Sequence, residues 1–328
     1  MTIEMKKRLI IIAIAIITVL TVLITVSNIP KSIPTTAFVK NFSQGMEVTI
    51  LGESNMKDNG NTNACGYIIT TANNKLIIVD GGNDIDKDIV LNYIKKLGNG
   101  TVDYWFVTHP HGDHVGALVE LLKEDDIEIQ NLCYSFNSLE WYEKYDERGF
   151  KAESKMFNSL NNSKIKNKIE AIKNQVIDID NLKCDILRVA NPEIINSDNG
   201  NDSSMVFKFT ATDINKSIIF LGDAFKYASI ELLENSKDLK ADVVQMSHHG
   251  QNGVSKEVYD AINPDICCFN TPEWLYNNDN GNGYDSGNWQ SIEVRSWVQE
   301  LGAKSVLAFE GDQTLQFTST GIFLKELN

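Results

Sequence analysis

The five histidines of the chain lie in two short clusters, and this clustering constrains the fold more than any other feature. The first cluster consists of His109, His111 and His114, and the second of His248 and His249. Each cluster directly follows a short apolar run (102–107 and 242–246) that is typical of a buried strand. Histidine nitrogens are common ligands of zinc and similar metals. The pattern therefore predicts a fold in which the ends of two distant strands meet around metal.

Asp113 adds a carboxylate to the first cluster, between His111 and His114. In such a turn, we expect His109 and His111 to point to one side, and Asp113 and His114 to the other. Two metal ions a short distance apart can then share the site. The alternative is a polar loop that happens to be rich in histidine.

Asp223 is a further candidate ligand, because it follows the apolar run 218–221 and Gly222. A carboxylate buried there without a partner would be costly, and two cations bridged by it would satisfy it. The alternative is an aspartate that caps the helix predicted next. Gly250, directly after the second histidine cluster, would allow the backbone to turn close to the site.

Between about residue 39 and the end of the sequence, short apolar runs alternate with helical patterns, which predicts an α/β domain of sheets covered by helices. The predicted strands are 48–51, 67–71, 75–79, 102–107, 175–179, 184–189, 205–210, 217–221, 241–246, 266–270, 305–309 and 314–318. The predicted helices are 86–97, 116–123, 227–233, 255–261 and 290–301. Residues 134–175, rich in Lys, Glu and Asn, are predicted to be a helical insertion.

The N-terminus predicts a membrane anchor. Residues 1–8 end in Lys6, Lys7 and Arg8 and are interpreted as a cytoplasmic tail, since basic residues favour the inner side. Residues 9–27 are interpreted as a single transmembrane helix, with a cleaved signal peptide as the alternative. Residues 28–40 are interpreted as a linker to a hydrolase domain at 41–328. The catalytic domain is thus expected outside the cytoplasm, held at the cell membrane or secreted.

The net charge and the cysteines exclude no class of protein, but they make nucleic-acid binding and a disulfide-rich fold less expected. The net charge of −14 makes the chain a poor electrostatic partner for nucleic acid, although bound cations can reverse the local field. The cysteines are odd in number and show no CxxC spacing, so we expect buried thiols and no disulfide framework. They are Cys65, Cys133, Cys184, Cys267 and Cys268.

Four segments resemble the motifs of the metallo-β-lactamase superfamily, in the order in which that family has them. Residues 108–114, Thr-His-Pro-His-Gly-Asp-His, match its HxHxDH signature, and residues 76–82 resemble its first motif, whose aspartate is Asp80 here. Residues 221–223 resemble the motif of the bridging aspartate, and residues 247–248 the last histidine motif. The resemblance covers residues 41–328 and implies an αββα sandwich of two mixed sheets with helices outside.

A closer resemblance is to the branch that includes the C-terminal domain of the DNA-uptake protein ComEC and the teichoic-acid phosphorylcholine esterases. It rests on 201–206 (Asn-Asp-Ser-Ser-Met-Val), 222–224 (Gly-Asp-Ala) and 248–250 (His-His-Gly). No histidine lies between His114 and His248, so the superfamily's usual third ligand of the first metal is missing. Asn201, Ser203, a water or the substrate are the candidates to fill that position.

The resemblance also implies a mechanism with two divalent ions, zinc being favoured and manganese the alternative. The first metal would be held by His109, His111 and Asp223, and the second by Asp113, His114, Asp223 and His248. A hydroxide between the metals would be the nucleophile. Asp113 and His249 are the residues expected to act in catalysis, with His249 donating to the leaving oxygen or holding the substrate. Asp80 would support the metal loop from behind the ligands.

The predicted function is that of an extracytoplasmic, binuclear phosphodiesterase or phosphoesterase that acts on a small-molecule or cell-envelope phosphoester. The alternatives are a ComEC-like nuclease, a lactone or acyl hydrolase, and a binding module without activity. Aromatic residues in 271–289 suggest a rim that could hold a choline-like cation, although such residues more often anchor a loop to the core. The sequence does not indicate an oligomeric state.

Overall fold

The computed structural model describes residues 43–52, 64–123, 127–195, 199–235 and 238–325, which form fifteen β-strands and nine α-helices. The strands are β1 Met46–Ile50, β2 Gly66–Thr71, β3 Leu76–Asp80, β4 Thr101–Val107, β5 Glu128–Tyr134, β6 Ile165–Glu170, β7 Val176–Ile179, β8 Leu182–Arg188, β9 Val206–Ala211, β10 Lys216–Phe220, β11 Val243–Gln245, β12 Ile266–Phe269, β13 Lys304–Leu307, β14 Gln313–Thr318 and β15 Gly321–Leu324. The helices are α1 Lys87–Gly98, α2 Gly112–Leu121, α3 Leu139–Tyr145, α4 Phe150–Ser159, α5 Asn199–Asp202, α6 Lys226–Asn235, α7 Lys256–Ile262, α8 Glu273–Tyr276 and α9 Ser291–Leu301.

The strands build two mixed sheets. The eight-stranded sheet has the order β15-β14-β1-β2-β3-β4-β5-β6, and the seven-stranded sheet has the order β13-β12-β11-β10-β9-β8-β7. In the first sheet, β3 to β6 run parallel, joined by helices. In the second sheet, β10 to β13 run parallel in the same way. The remaining neighbours are antiparallel, and β14 returns from the end of the chain to pair with β1.

The central strands are continuous apolar runs because both of their faces are buried. In β3, Ile77 and Val79 point into the core between the sheets, while Leu76 and Ile78 point into the core under α1 and α2. Across the sheet interface, the rings of Phe106 and Phe207 lie 5.0 Å apart. A third core lies between the second sheet and helices α6, α7 and α9. The αββα sandwich predicted from the sequence is therefore confirmed.

Strands β5 and β15 were not predicted, and two predicted elements differ from the structure. The helix expected at 116–123 begins four residues earlier, at Gly112, because His111 ends the extended segment and Asp113 and His114 form the first helical turn. The insertion at 134–175 is helical only in α3 and α4, and it then contributes β6, the edge strand of the first sheet. The apolar alternation of β6 is weak because most of its side chains face solvent.

The predicted tail, anchor and linker (1–8, 9–27 and 28–40) lie outside the described residues. Within the described ranges, no helix has the length and apolar character that crossing a bilayer requires. All five cysteines are buried and carry free thiols.

Candidate metal centre

The predicted site residues converge because each follows the carboxyl end of a parallel strand. Asp80 is the last residue of β3, and His109 stands just after β4. From the second sheet, Asp223 follows β10 and His249 follows β11. In open α/β sheets this end of the strands is where ligands bind. The packing of the two sheets brings these four strand ends together.

Among the described residues, the group of potential metal ligands with the most members consists of Asp113, His114, Asp223 and His249. His249 Nε2 lies 3.2 Å from Asp113 Oδ2 and 3.4 Å from Asp223 Oδ2. His114 Nε2 lies 3.2 Å from Asp223 Oδ1. All four ligand atoms lie within 4.8 Å of one another. Two imidazoles and two carboxylates at such spacing match the donors that zinc and similar cations prefer.

The imidazole rings are oriented from behind through their Nδ1 atoms. His114 Nδ1 lies 2.8 Å from Asp80 Oδ2, and His249 Nδ1 donates to the backbone oxygen of Asn270 at 2.7 Å. Asp80 is itself fixed by the backbone and hydroxyl of Thr108. Metal-binding histidines are usually held in this manner by an outer partner on the second nitrogen. The Nε2 atoms are thereby directed into the shared space.

Buried polar atoms at this point have no hydrogen-bond partner among the residues that the structure describes. They are His109 Nε2, His114 Nε2 and Asp223 Oδ1. His109 Nε2 lies 3.9 Å from Asp223 Oδ2. A buried polar atom without a partner is costly, and a cation would satisfy all three atoms. The residues present therefore fit a divalent metal.

The electrostatics of the group point to the same need for positive charge. Burial opposes protonation of His249, but the carboxylates of Asp223 and Asp113 outweigh it and raise the pKa to about 10. Asp223 and Asp80 likewise hold the pKa of His114 well above its usual value despite burial. Burial favours the neutral form of Asp223, yet His114 and His249 keep its pKa well below the usual range. The carboxylates thus attract positive charge, which protons or a metal can supply.

His109 differs from the other rings. Burial, followed by repulsion from His114 and His111, holds the pKa of His109 well below its usual value. The ring centroids of His109 and His114 are 4.2 Å apart. A neutral imidazole is the form that binds metal, so His109 is in the ligand state without rearrangement.

The structure places His249, rather than the preferred His248, in the four-residue group. His248 lies at a partly exposed position, where its Nδ1 donates to the backbone oxygen of Asn252 at 2.8 Å. Its Nε2 lies 3.3 Å from the amide nitrogen of Asn201. The two histidines diverge because both have left-handed backbones, with φ of 49° and 59°. The sequence motif alone does not reveal this turn.

Asp223 is not the cap of the following helix. That role belongs to Asp202, whose carboxylate accepts from the backbone nitrogens of Phe225, Tyr227 and Ala228. The backbone nitrogen of Asp223 donates to Ser204 Oγ at 3.0 Å. The side chain of Asp223 is left to face the histidines.

The two candidates for the missing ligand of the first metal have other contacts. Ser203 Oγ donates to the backbone oxygen of Gly200 and lies 3.1 Å from the hydroxyl of Tyr142. Asn201 contacts His248 through its amide nitrogen, and its Oδ1 is buried without a hydrogen-bond partner among the described residues.

His111 contacts the insertion instead of the other ligands. Its Nε2 lies 2.7 Å from Asp146 Oδ2 and 3.7 Å from Glu153 Oε1. Burial and then the Asp146 carboxylate raise the pKa of Glu153 to about 9. Sequence reasoning missed both acids, because the insertion contains many acidic residues and no motif spacing distinguishes these two.

The aromatic residues of 271–289 pack on each other and on the domain. The rings of Trp274 and Trp289 are 5.1 Å apart, and Tyr276 lies 5.3 Å from the ring of Phe269. Arg295 lies 4.1 Å from the ring centroid of Tyr276 and occupies its face. These contacts agree with aromatics that anchor a loop, and they leave the choline rim without support.

Comparison with known proteins supports the family resemblance. A model of the metallo-beta-lactamase superfamily matches residues 61–130. No curated protein matches the sequence.

Among solved structures, unliganded yeast PDE1 is 14% identical, with a TM-score of 0.50 over 83% of this chain and 99% of that chain. The metallo-beta-lactamase fold protein YhfI from Bacillus subtilis is 12% identical, with a TM-score of 0.49 over 81% and 97%. A diphosphatase from the PhnP family is 14% identical, with a TM-score of 0.45 over 84% and 98%.

At 14% identity, yeast PDE1 speaks only for the fold, and the two structures with TM-scores under 0.50 carry no argument. The family match covers Asp80 and four of the six predicted metal ligands, while Asp223 and His248 lie beyond it. Together, the match and the fold confirm the resemblance of this chain to the metallo-β-lactamase superfamily of metal-dependent hydrolases.

Proposed function

We propose that the chain is an extracytoplasmic, metal-dependent phosphodiesterase or phosphoesterase with two divalent ions at its centre. The observation that carries this proposal is the group Asp113, His114, Asp223 and His249, drawn from both sheets and lined by buried atoms that lack hydrogen-bond partners among the described residues. The location outside the cytoplasm rests on the predicted anchor at 9–27. Zinc is the favoured ion, with manganese as the alternative.

The ligands divide between two cations. One would be held by Asp113, His114, Asp223 and His249. The other would be held by His109 and His111. Asp223 would be available to both, since its Oδ1 lies 3.2 Å from His114 Nε2 while its Oδ2 lies 3.4 Å from His249 Nε2 and 3.9 Å from His109 Nε2. When bound, divalent cations polarise a phosphoester and lower the pKa of water, which supplies a nucleophile near neutral pH.

The protein's own groups position this chemistry. Asp80 fixes the ring of His114, and the carbonyl of Asn270 fixes that of His249. His248 lies partly exposed beside this group. It therefore has the role that we expected of His249, which is to hold the substrate or donate to the leaving oxygen. Because its Nδ1 donates to a carbonyl, its neutral ring carries the lone pair on Nε2. That atom would accept a hydrogen bond from a substrate hydroxyl, or would take a proton from the attacking water and pass it to the leaving oxygen.

A phosphoester is favoured over an uncharged ester or lactone for two reasons. An anionic substrate complements a centre that holds two dications, and the motifs at 201–206, 222–224 and 248–250 resemble the ComEC and phosphorylcholine esterase branch. The net charge of −14 favours a small or envelope-bound phosphoester over a long nucleic acid. Binding of membrane through the anchor remains part of this proposal.

Turnover of bis-p-nitrophenyl phosphate tests the proposal. The protein stripped of metal by a chelator should be inactive, and added zinc or manganese should restore its activity. Asp223→Asn should lower the rate by more than about 100-fold, the upper range for the loss of a ligand's outer partner. Asp178→Asn, an exposed carboxylate in β7, is the matched control and should retain activity. Full turnover by metal-loaded Asp223→Asn would refute the role of this centre.

Three further substrates define the class of reaction. Release of p-nitrophenol from its phosphorylcholine ester would support an esterase of the cell envelope, and cleavage of single-stranded DNA would support the nuclease instead. Hydrolysis of a lactone without either phosphoester activity would overturn the phosphoester proposal.

A further inference from the structure

The helical insertion carries two carboxylates to the outer side of His111. Asp146 stands just after α3, and Glu153 lies in the first half of α4. The ligand atoms of His111, Asp146 and Glu153 all lie within 4.8 Å of one another. The ring of His111 is also 4.6 Å from that of His109, between centroids. The insertion therefore reaches the margin of the metal centre described above.

Glu153 is the least expected member of this cluster. Its side chain is fully buried, and neither carboxylate oxygen has a hydrogen-bond partner among the described residues. A buried carboxylate without partners is strongly disfavoured. The nearest basic atom is His111 Nε2 at 3.7 Å, which already contacts Asp146 at 2.7 Å. With Glu153 ionised, one imidazolium would face two carboxylates, and a cation among them would balance the second negative charge.

Two glycines leave room around these atoms. A Cβ at Gly200 would lie 2.3 Å from His111 Nε2 and 1.7 Å from Asp146 Oδ2. A Cβ at Gly149 would lie 2.6 Å from the same nitrogen. Neither glycine has a positive φ, so the requirement here is space beside the polar atoms. Any larger residue would displace the pair that faces Glu153.

We propose that Asp146 and Glu153 are metal ligands that join His111 in holding the first cation. They stand in for the histidine that the sequence lacks between His114 and His248. This inference rests on the proposed metal centre and deepens it by assigning its missing ligands to the insertion. Replacing an imidazole of this set by two carboxylates makes the donors harder, so this position accommodates manganese better than a set of three imidazoles would.

Metal counting on the full chain tests the inference. The protein is stripped with chelator, loaded with Mn²⁺, dialysed and measured by inductively coupled plasma mass spectrometry, with electron paramagnetic resonance to detect coupled ions. The wild type should retain two equivalents with a coupled signal. Glu153→Gln and Asp146→Asn should each retain one equivalent with an uncoupled signal. Glu147→Gln, an exposed acid next to Asp146, is the matched control and should retain two.

Two results would overturn the inference: a wild type that retains one equivalent, or a Glu153→Gln variant that retains two with the coupled signal. The second result would mean that Asp146 forms an ordinary ion pair with His111 and that Glu153 is protonated. If Glu153→Gln does not fold, as judged by circular dichroism, Asp146→Asn and the wild-type count decide, since Asp146 is only partly buried.

The same preparations separate this inference from the proposed function. If the wild type turns over bis-p-nitrophenyl phosphate and every variant retains two equivalents of Mn²⁺, the proposed function stands, and Asp146 and Glu153 are not metal ligands. If the wild type retains two equivalents of Mn²⁺, Glu153→Gln retains one, and no phosphoester is turned over, the two acids are metal ligands and the proposed function is rejected.

Discussion

His248 and His249 show how two adjacent, chemically identical residues acquire different roles. Both have left-handed backbones, which are uncommon for residues other than glycine and cluster at functional sites. The turn sends His249 towards Asp113 and Asp223, and sends His248 towards Asn201. The backbone, more than the side-chain type, therefore decides which imidazole is a metal ligand.

The first prediction separates these two histidines. His249→Asn should lose a cation and most of its activity, because the only imidazole from the second sheet leaves the four-residue group. His248→Asn should retain the cations and lose activity alone. Asparagine tolerates a left-handed backbone, so each variant tests the ring and not the turn. Mass spectrometric metal counts and phosphodiester turnover check both, and an identical metal loss in both variants would contradict the assignment.

The second prediction concerns Asp80, which is buried and has a φ of 57°. Asp80→Asn keeps the shape and suits the backbone but weakens the partner of His114 Nδ1. Loss of such an outer partner should lower metal affinity by about 10- to 100-fold. Excess metal should recover much of the activity, as titration with zinc or manganese would measure. Asp84→Asn, an exposed neighbour, is the control, and unchanged affinity in Asp80→Asn would exclude the orienting role.

At the scale of elements, the strands that carry ligands were the most predictable. The last three residues of β4 and of β10 are buried on both faces, so each strand finishes in a short apolar run that is followed by polar residues. Edge strand β6 was missed, because its exposed polar side chains break any alternation. The start of α2 was also missed, because ligand residues occupy its first turn and hide the helical pattern.

The site was predictable where its residues are close in sequence and unpredictable where they are not. The HxHxDH segment contains its chemistry within seven residues. Asp146 and Glu153 reach His111 through the packing of α3 and α4, and no local pattern records such a contact. The sequence also could not distinguish Asp223 from a helix cap, because Asp202, which caps α6, lies more than twenty residues earlier.

The third prediction tests this cap. Asp202 is buried and accepts from three backbone nitrogens at the start of α6. Asp202→Ala leaves these donors without their acceptor, and the free energy of unfolding should fall by about 2 kcal/mol, at the upper end for loss of a cap. Urea unfolding measures the change. Glu234→Ala, exposed on the same helix, should alter stability little, and an equal effect of both variants would rule out the cap.

At the scale of the whole molecule, the metal centre joins the two sheets. Asp113 and His114 follow β4 of the first sheet, whereas Asp223 and His249 follow β10 and β11 of the second. The apolar core between the sheets holds the two sheets in contact. At the edge of this core, the two carboxylates repel each other unless protons on the histidines or a bound cation supply positive charge between them. A cation bound by all four residues is thus a crosslink across the sandwich.

The last prediction follows from this crosslink. A ligand that binds only the folded state stabilises it by about 2.7 kcal/mol at 100 times its dissociation constant. For a domain of this size, that corresponds to a shift of about 4–5 °C in the unfolding temperature. Chelation should lower the unfolding temperature of the wild type by this amount, and returning zinc or manganese should restore it, as calorimetry would show. Asp223→Asn should not respond to chelator, because it lacks the carboxylate that faces ligands from both sheets. If chelator leaves the wild type unchanged, or if the variant responds equally, the cation does not connect the sheets, and the four residues must be held together by protons and packing alone.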